Sequence, residues 1–431
     1  MEGFETLWRE LAPIGRHSRT TGYRRYAYTP AELDCRAWFE QAAAARGMPT
    51  QTDRNGNLWA CWVPGGAAEA TDADPVSGAG PVSDAGPVGG ADAGWPMIRD
   101  AVVTGSHLDS VPDGGAYDGP LGVASGFAAI DVLRARGVTP RKPIAVVAFA
   151  EEEGARFGVA CLGSRLLSGA IAPERARELV DADGVSLADA MAGAGLDPER
   201  IGRDDEALAR IGSYVELHVE QGRAQIDLGA PVAVGSAIWP HGRWRLEFTG
   251  AANHAGTTLL EDRQDPMLTY ANTVLAARKR ARLAGARATV GRVLCEPNGV
   301  NAIPSRVTAW LDARAPDEPT LASLVAEIEQ ASVARAERDG TALAVRRESY
   351  SGEVSFDAHL SGRLSTLLGG APVLATGAGH DAGVLAPHVP SGMLFVRNPT
   401  GVSHAPEEFA EMSDCLAGVE ALAAVLEDLA A

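Results

Sequence analysis

Apolar residues along the chain follow two spacings, one typical of buried strands and one typical of helices. Residues 101–106 and 143–150 form short, mostly apolar runs, as expected for strands covered on both faces. Between these runs, residues 121–136 place apolar side chains at helical spacing. A third short strand is predicted at residues 214–219, and a last helix at residues 406–429. This order of strands and helices predicts an α/β domain with a mostly parallel sheet.

A different rhythm occupies residues 240–350. Its predicted elements are a strand at 243–250, a helix at 266–283, strands at 288–295 and 305–314, a helix at 320–338 and a strand at 342–349. This is the β-α-β-β-α-β order of a ferredoxin-like domain. The α/β pattern resumes afterwards, so we expect one domain formed by residues 1–239 and 351–431, with the ferredoxin-like domain inserted into it.

One segment, residues 64–96, has almost no large apolar side chains to bury. It contains eight Gly, eight Ala and five Pro, and a six-residue unit recurs in it as PVSGAG, PVSDAG and PVGGAD. Such a composition predicts a flexible surface loop without chemistry of its own. It separates strand-like runs at residues 57–63 and 97–103, which we interpret as a hairpin with a lengthened tip.

Composition and charge exclude several classes of function. The net charge is −18, which argues against a nucleic-acid partner. The longest apolar run, residues 144–150, is too short to cross a membrane. The amino-terminal residues are acidic and lack an apolar stretch, so we do not expect a secretory signal in them. The five cysteines form no C-x-x-C pair, so neither a disulfide framework nor a zinc finger is indicated. We therefore expect a cytoplasmic protein.

Histidines and carboxylates cluster directly after predicted strands, where open α/β sheets bind their ligands. A single histidine at a strand end is more often structural, and a run of glutamates is usually a solvated surface. Several such clusters in one domain favour a metal site without thiolate ligands. The segments that carry these residues are TGSHLDS, GGAYDGPLG, AEEEGARFG, ELHVEQG and GVSHAPEE.

These residue types suit two divalent ions held ~3.5–4 Å apart. Glu152, beside a ligand, would act as the general base, and Asp109 would hold the His107 ring from behind. Imidazole and carboxylate ligands favour Zn²⁺, with Mn²⁺, Co²⁺ or Ni²⁺ as alternatives. The expected metal ligands are Asp118 as the bridge, His107 and His218 on one ion, and Glu153 and His404 on the other.

Taken together, the motifs resemble those of the hydantoinase/carbamoylase amidases. The motifs are GSHLDSVPDGGAYDGPLG, EEEGARFG, ELHVEQG, NHAGTT, PNGVNAIPSRVTAWLDAR, GAGHDAG and SHAPEE, and they span about residues 58–409 in the same order. The resemblance implies a catalytic domain that holds two metal ions, and an inserted domain that acts as a lid and forms a homodimer. It implies the metal ligands and the base named above.

The resemblance also implies roles for residues of the lid and of the substrate pocket. From the sequence alone, an ordinary ion pair is as good an interpretation of Arg314, and His254 could simply cap a helix. The implied roles are substrate contact for Gln221, oxyanion stabilisation by His254 of the partner subunit, binding of the substrate carboxylate by Asn301 and Arg314, and a loop near the substrate for Gly379 and His380.

The reaction implied is hydrolysis of a ureido C–N bond in a small carboxylate substrate. The leading candidate is N-carbamoyl-L-amino acid hydrolase, a linear amide hydrolase that yields amino acid, ammonia and carbon dioxide. Allantoate amidohydrolase is the alternative, followed by β-ureidopropionase and by a dipeptidase or aminoacylase of the wider clan. A binding protein without activity would have no need of the base Glu152.

Overall fold

The computed structural model describes residues 2–64 and 98–431, so nearly all of the expected loop at 64–96 lies outside the described residues. The chain divides into two compact units. One consists of Met1–Ser236, Ser355–Leu374 and Gly379–Ala431, and the other of Ala237–Val354 and Ala375–Ala378. In the described part of the chain, no helix is long and apolar enough to cross a membrane.

The first unit alternates strands and helices along the chain. Before the second unit begins, its elements are α1 Glu2–Leu11, α2 Pro30–Ala44, β1 Thr50–Thr52, β2 Leu58–Trp62, β3 Ala101–His107, α3 Pro120–Ala135, β4 Ile144–Phe149, α4 Leu162–Ser168, α5 Pro173–Arg177, α6 Leu187–Gly193, α7 Asp205–Arg210, β5 Ile211–Val219, α8 Ala224–Leu228 and β6 Val232–Ile238.

The second unit follows with a strand-rich segment, after which the chain returns to the first. The elements in between are β7 His241–Thr249, β8 Asn253–His254, α9 Pro266–Leu283, β9 Arg287–Glu296, β10 Ala302–Ile303, β11 Arg306–Arg314, α10 Glu318–Asp339, β12 Ala342–Ser351 and β13 Val354–Ser355. The last elements are α11 Ala358–Leu367, β14 Val373–Thr376, α12 Asp381–Leu385, β15 Ser391–Val396 and α13 Met412–Leu429.

The central element of the first unit is a nine-stranded sheet. Eight strands follow the order β1-β2-β4-β3-β5-β15-β6-β13, and the ninth strand, β14, pairs with β6. The central strands β4, β3, β5 and β15 are parallel, so their carboxyl ends lie at one edge of the sheet. The predicted α/β class with a mostly parallel sheet is confirmed. Strands β3 and β4 are buried throughout, and the apolar residues of α3 and α13 join them in one core.

The second unit contains a four-stranded antiparallel sheet in the order β12-β7-β11-β9. Its strands and helices follow the β-α-β-β-α-β order predicted for residues 240–350. Trp244, Leu246 and Phe248 alternate with more exposed residues along β7, so their side chains lie on the same face of the sheet. Helices α9 and α10 cover this face, and the three side chains belong to the core of this unit.

Two predictions of local structure are wrong. The strands on either side of the expected loop do not form a hairpin: β2 pairs with β4, and β3 lies between β4 and β5. Because β3 is buried on both faces, it lies in the middle of the parallel sheet. The predicted hairpin would have paired it with β2 instead. The last helix begins at Met412 rather than at Pro406, because Glu408 lies in a turn and its side chain contacts another loop.

Candidate metal centre

The candidate site lies at the carboxyl ends of the parallel strands of the first unit. His107 is the last residue of β3 and His218 the next-to-last residue of β5. Glu152 and Glu153 follow β4, and His404 lies in the loop after β15. The sheet therefore brings together side chains that are up to about 300 positions apart in the sequence.

Asp118 reaches these residues through a tight turn at the start of α3. The next residue, Gly119, has a φ of 87°, a conformation that L side chains rarely adopt. A Cβ atom at that position would lie 2.4 Å from the ring of His107. Only glycine therefore allows the loop of Asp118 to pass this close to the histidine.

The two carboxylate oxygens of Asp118 face two different groups of side chains. Oδ1 lies 3.5 Å from Nε2 of His107 and 3.2 Å from Nε2 of His218. Oδ2 lies 3.3 Å from Nε2 of His404, which is in turn 3.6 Å from Oε2 of Glu153. The structure thus places the five expected ligands as two groups that share one carboxylate, as a pair of bridged ions requires.

The chemistry of the two buried histidines fits metal ligands. Nδ1 of His107 donates to the main-chain oxygen of Asp109 at 3.1 Å, and Nδ1 of His218 donates to that of Val219 at 2.9 Å. Because a carbonyl can only accept, each Nδ1 carries a proton, and in the neutral ring Nε2 keeps its lone pair. Both Nε2 atoms are buried without a hydrogen-bond partner, so each offers a free ligand atom.

The charges of the cluster also call for a cation. Burial would raise the pKa of the Asp118 carboxyl, but His218 and His107 hold it well below its usual range. Burial would lower the pKa of His218, and Asp118 raises it to about 9. Hydrogen bonding to Asp118 raises the pKa of His404 to about 9. In the metal-free protein, protons on the imidazoles therefore compensate the buried carboxylate charge. Metal ions would compensate the same charge in the loaded protein.

Glu152 lies beside the cluster but in neither ligand group. Its carboxylate is buried, with Oε2 at 3.6 Å from Nε2 of His107. Burial raises its pKa to about 7, against the opposing effect of His107. A carboxylate with this pKa can both accept and return a proton near neutral pH.

The carboxylate of Asp109 contacts the backbone of Glu152 and Glu153 more closely than it contacts the His107 ring. Its Oδ1 accepts from the main-chain N–H of Glu152 at 3.1 Å, and its Oδ2 from that of Glu153 at 3.0 Å. The nearest approach of its carboxylate to Nδ1 of His107 is 3.5 Å, and the ring donates to the main chain instead. The predicted contact with the ring therefore comes mainly from the backbone of Asp109.

Three of the expected substrate residues belong to the first unit. Nε2 of Gln221 donates to Oδ2 of Asp118 at 2.8 Å. The His380 ring is buried 4.5 Å from the His218 ring, and burial keeps its pKa well below the usual range, so it is neutral. Gly379 precedes it, with open space where a side chain would be. The structure thus brings Gln221 and His380 to the cluster.

The other expected substrate residues belong to the second unit. Arg314 makes an ion pair with Asp312, at 2.9 Å from Nε to Oδ1, and Nη1 donates to the carbonyl of Gly377 at 2.6 Å. The ion pair that the sequence left open for Arg314 therefore exists. His254 caps no helix, and its Nδ1 accepts from the N–H of Gly256. Asn301 lies beside this turn, since its main-chain oxygen accepts from Ala255.

Sequence reasoning missed residues that hold the ligands in place. Oε1 of Glu408 accepts from the main-chain N–H groups of Tyr117 and Asp118, at 2.8 and 2.9 Å. Oε1 of Glu216 accepts from Ser106 at 2.8 Å, next to the histidine that ends β3. Both glutamates stand in the motifs SHAPEE and ELHVEQG, but nothing in the spacing shows that their partners are backbone or hydroxyl donors.

Comparison with known proteins identifies the family. Residues 103–428 match the model of peptidase family M20/M25/M40. The chain is 35% identical to an N-carbamoyl-L-amino acid amidohydrolase of Geobacillus stearothermophilus, over 97% of this chain and 96% of that protein. It is 31% identical to an allantoate amidohydrolase of Escherichia coli, over 95% and 93%. The chain belongs to peptidase family M20/M25/M40.

A solved structure shows which members of its family this M20/M25/M40 protein resembles. An amidase of the hydantoinase/carbamoylase family from Burkholderia vietnamiensis superposes with a TM-score of 0.80 at 27% identity, covering 99% of this chain and 97% of that one. The resemblance to these amidases is confirmed. Family members depend on two metal ions, and His107, Asp118 and His218 with Glu153 and His404 are the groups here that fit them.

In this M20/M25/M40 protein we expect the substitution Asp118→Asn to weaken metal binding, because the amide has no charge to share between two ions. The measurement is the metal content of the purified protein after loading with Zn²⁺ and desalting. Loss of a residue that only supports a metal ligand weakens metal binding by about 10–100-fold. Because Asp118 is itself an expected ligand, we expect its loss to weaken binding by more than about tenfold. Asp113→Asn, in the same loop but paired with Arg24, is the matched control. Equal metal content in the two variants would contradict the bridge.

Proposed function

We propose that this protein hydrolyses the ureido C–N bond of N-carbamoyl-L-amino acids and releases the amino acid, ammonia and carbon dioxide. The observation that carries the proposal is the buried Glu152 beside two ligand groups that share Asp118. A protein that only binds metal has no need of such a base. The name of the Geobacillus stearothermophilus relative supports the choice of substrate.

The proposed cofactor is a pair of Zn²⁺ ions, with Mn²⁺, Co²⁺ or Ni²⁺ as alternatives. His107, His218 and Asp118 would hold one ion, and Asp118, Glu153 and His404 the other. This set has only nitrogen and carboxylate oxygen donors, which suits these metals. When bound, the ions would polarise the ureido carbonyl and acidify a water molecule.

Glu152 would act as general base and then as general acid. Its Oε2 would take a proton from the attacking water and deliver it to the leaving nitrogen, which departs as an amine or ammonia. In the metal-free protein, burial raises the pKa of this carboxyl to about 7. Asp109 would keep the carboxylate in place by holding the main-chain N–H groups of Glu152 and Glu153.

His254 and Arg314 are the proposed substrate-binding residues of the second unit, together with Asn301. Because Gly256 donates to Nδ1 of His254, the proton of the neutral ring is on Nε2, and this N–H could stabilise an oxyanion. The guanidinium of Arg314 has five N–H groups, and three are used by Asp312 and Gly377. The remaining two would bind a substrate carboxylate, with the inserted unit acting as a lid.

Allantoate is the alternative substrate. The Escherichia coli relative that is 31% identical over 95% of this chain is an allantoate amidohydrolase. Allantoate also has a ureido group and a carboxylate, so the same base and the same arginine would serve it. The two substrates differ in the part of the molecule beyond the ureido group and the carboxylate. The assay described below compares the two activities directly.

We further propose that the protein is a homodimer formed through the second unit. On α9, Leu268, Leu275 and Leu283 have exposed fractions of 50%, 65% and 73%. On β9, an edge strand of the sheet, Val293 and Leu294 are nearly half exposed. Exposed leucines beside a strand with free backbone groups favour association with a second copy. The proposed location is the cytoplasm, where the five free cysteines would stay reduced.

To test the reaction, the protein would be stripped of metal, reloaded with Zn²⁺ or Mn²⁺, and assayed for ammonia release. The substrates are a panel of N-carbamoyl-L-amino acids, allantoate and N-carbamoyl-β-alanine. We expect the highest kcat/KM with an N-carbamoyl-L-amino acid. In Glu152→Ala, kcat should fall by about 10²–10⁴-fold with the metal content unchanged. No ammonia from any substrate, or near-normal kcat in the variant, would refute the proposal.

The role of Arg314 is tested by Arg314→Lys, which keeps the charge but loses the planar pair of donors. We expect KM for an N-carbamoyl-L-amino acid to rise by roughly tenfold or more, the cost of losing hydrogen bonds to a charged group. KM for the corresponding uncharged amide should change little. Arg306→Lys, on the same strand and exposed, is the control. An equal rise for acid and amide would show that Arg314 has only a structural role.

The proposed interface predicts that Leu275→Glu produces a monomer, because a buried charge without a partner opposes association. The oligomeric state would be measured by light scattering coupled to size-exclusion chromatography. Leu228→Glu is the control, since this leucine has a comparable exposed fraction of 55% but lies in the first unit. A monomeric unmodified protein, or a Leu275→Glu variant that stays dimeric, would overturn the proposed interface.

A further inference from the structure

The carboxylate of Glu152 has a partner that the sequence did not indicate. Sγ of Cys161 donates to Oε1 of Glu152 at 3.1 Å. Within residues 2–64 and 98–431, no other hydrogen bond is donated to this carboxylate. Both side chains are buried, Cys161 with 3% and Glu152 with 6% of the residue exposed. The thiol therefore lies against the base inside the protein and not at its surface.

The backbone fixes this contact from both sides. The N–H of Cys161 donates to the main-chain oxygen of Glu152 at 2.6 Å, and that of Leu162 to the oxygen of Glu151 at 3.1 Å. Cys161 has a φ of 54°, in the left-handed region, which costs a non-glycine residue roughly 1–2 kcal/mol. Glycine would avoid this cost but would lack the thiol that contacts Glu152.

The thiol engages only one of the two oxygens of Glu152. Oε2 stays free of hydrogen bonds and faces Nε2 of His107 at 3.6 Å. Burial keeps the pKa of the Cys161 thiol well above its usual range, so the group remains a donor. A rigid base with one oxygen held and the other presented to the ligand cluster is the geometry that proton transfer requires.

We propose that Cys161 is a positioning residue for the general base: its S–H holds Oε1 of Glu152, so that Oε2 faces the metal ligands. Cys161 does not react and does not touch the substrate. The inference rests on the proposed function, because it assigns to Glu152 the transfer of the proton.

The test compares Cys161→Ala, which removes the donor, with Cys161→Ser, which replaces it by a hydroxyl. With the best substrate of the unmodified enzyme, Cys161→Ala should lower kcat by about tenfold, as observed for residues that orient a reacting group. KM and metal content should stay unchanged, and Cys161→Ser should recover most of the kcat lost in Cys161→Ala, because the hydroxyl can also donate to Oε1 of Glu152. Cys61→Ala, which removes an equally buried thiol in β2, is the control and should keep the unmodified kcat.

A second readout does not depend on activity. The infrared S–H stretching band of Cys161, identified as the band missing in Cys161→Ser, should move to higher frequency in Glu152→Gln, because an amide is a weaker acceptor than a carboxylate. An unmoved band, or equal kcat in Cys161→Ala and the unmodified enzyme, would overturn the inference. If no ureido substrate is hydrolysed, the proposed function fails, and the band alone then decides whether the thiol holds the carboxylate.

Discussion

The candidate site depends on one electrostatic constraint: several carboxylates are buried next to one another where parallel strands end. Each buried carboxylate costs free energy unless donors or cations compensate its charge. Oδ1 of Asp118 and Oε2 of Glu153 face only imidazole nitrogens among the described residues. The compensation for these two oxygens must come from protons on the histidines or from cations, and this requirement defines the metal centre.

The same constraint separates the supporting carboxylates from the ligands. Asp109 accepts from two main-chain N–H groups, Glu151 from those of Arg156 and Phe157, and Glu216 from a serine hydroxyl and from the N–H of Ala382. Both oxygens of Asp109 and both of Glu216 accept from neutral donors, so these two groups need no cation. Oε2 of Glu151 has no hydrogen-bond partner, and burial raises the pKa of this carboxyl to about 8, so a proton compensates its charge. Glu216 lies close to two histidines, but its oxygens are already engaged, and we interpret it as a support for the site.

The sequence was sufficient to predict the α/β class and the residues that gather at the strand ends. Candidate ligands such as His107 are recognisable because they lie at the ends of strands buried on both faces, and the parallel sheet then brings them together. The pairing of β2 with β4 was not predictable from adjacent runs, because sheet order depends on contacts distant in sequence. The contacts of Glu408 and Cys161 were also missed, since a hydrogen bond to a backbone or to a thiol leaves no pattern in residue types.

Glu152 and Glu153 show how one environment holds two neighbouring carboxylates in different contacts. They are consecutive and chemically identical, and Asp109 holds the main-chain N–H of each. Oε2 of Glu153 faces His404, and burial raises the pKa of the Glu153 carboxyl well above its usual range. In Glu152, Oε1 is engaged by Cys161, and burial raises the pKa of the carboxyl to about 7. The burial that crowds these carboxylates together and calls for cations therefore also raises the proton affinity of both glutamates. The proposed ligand and the proposed base differ in their contacts, His404 for Glu153 and Cys161 for Glu152.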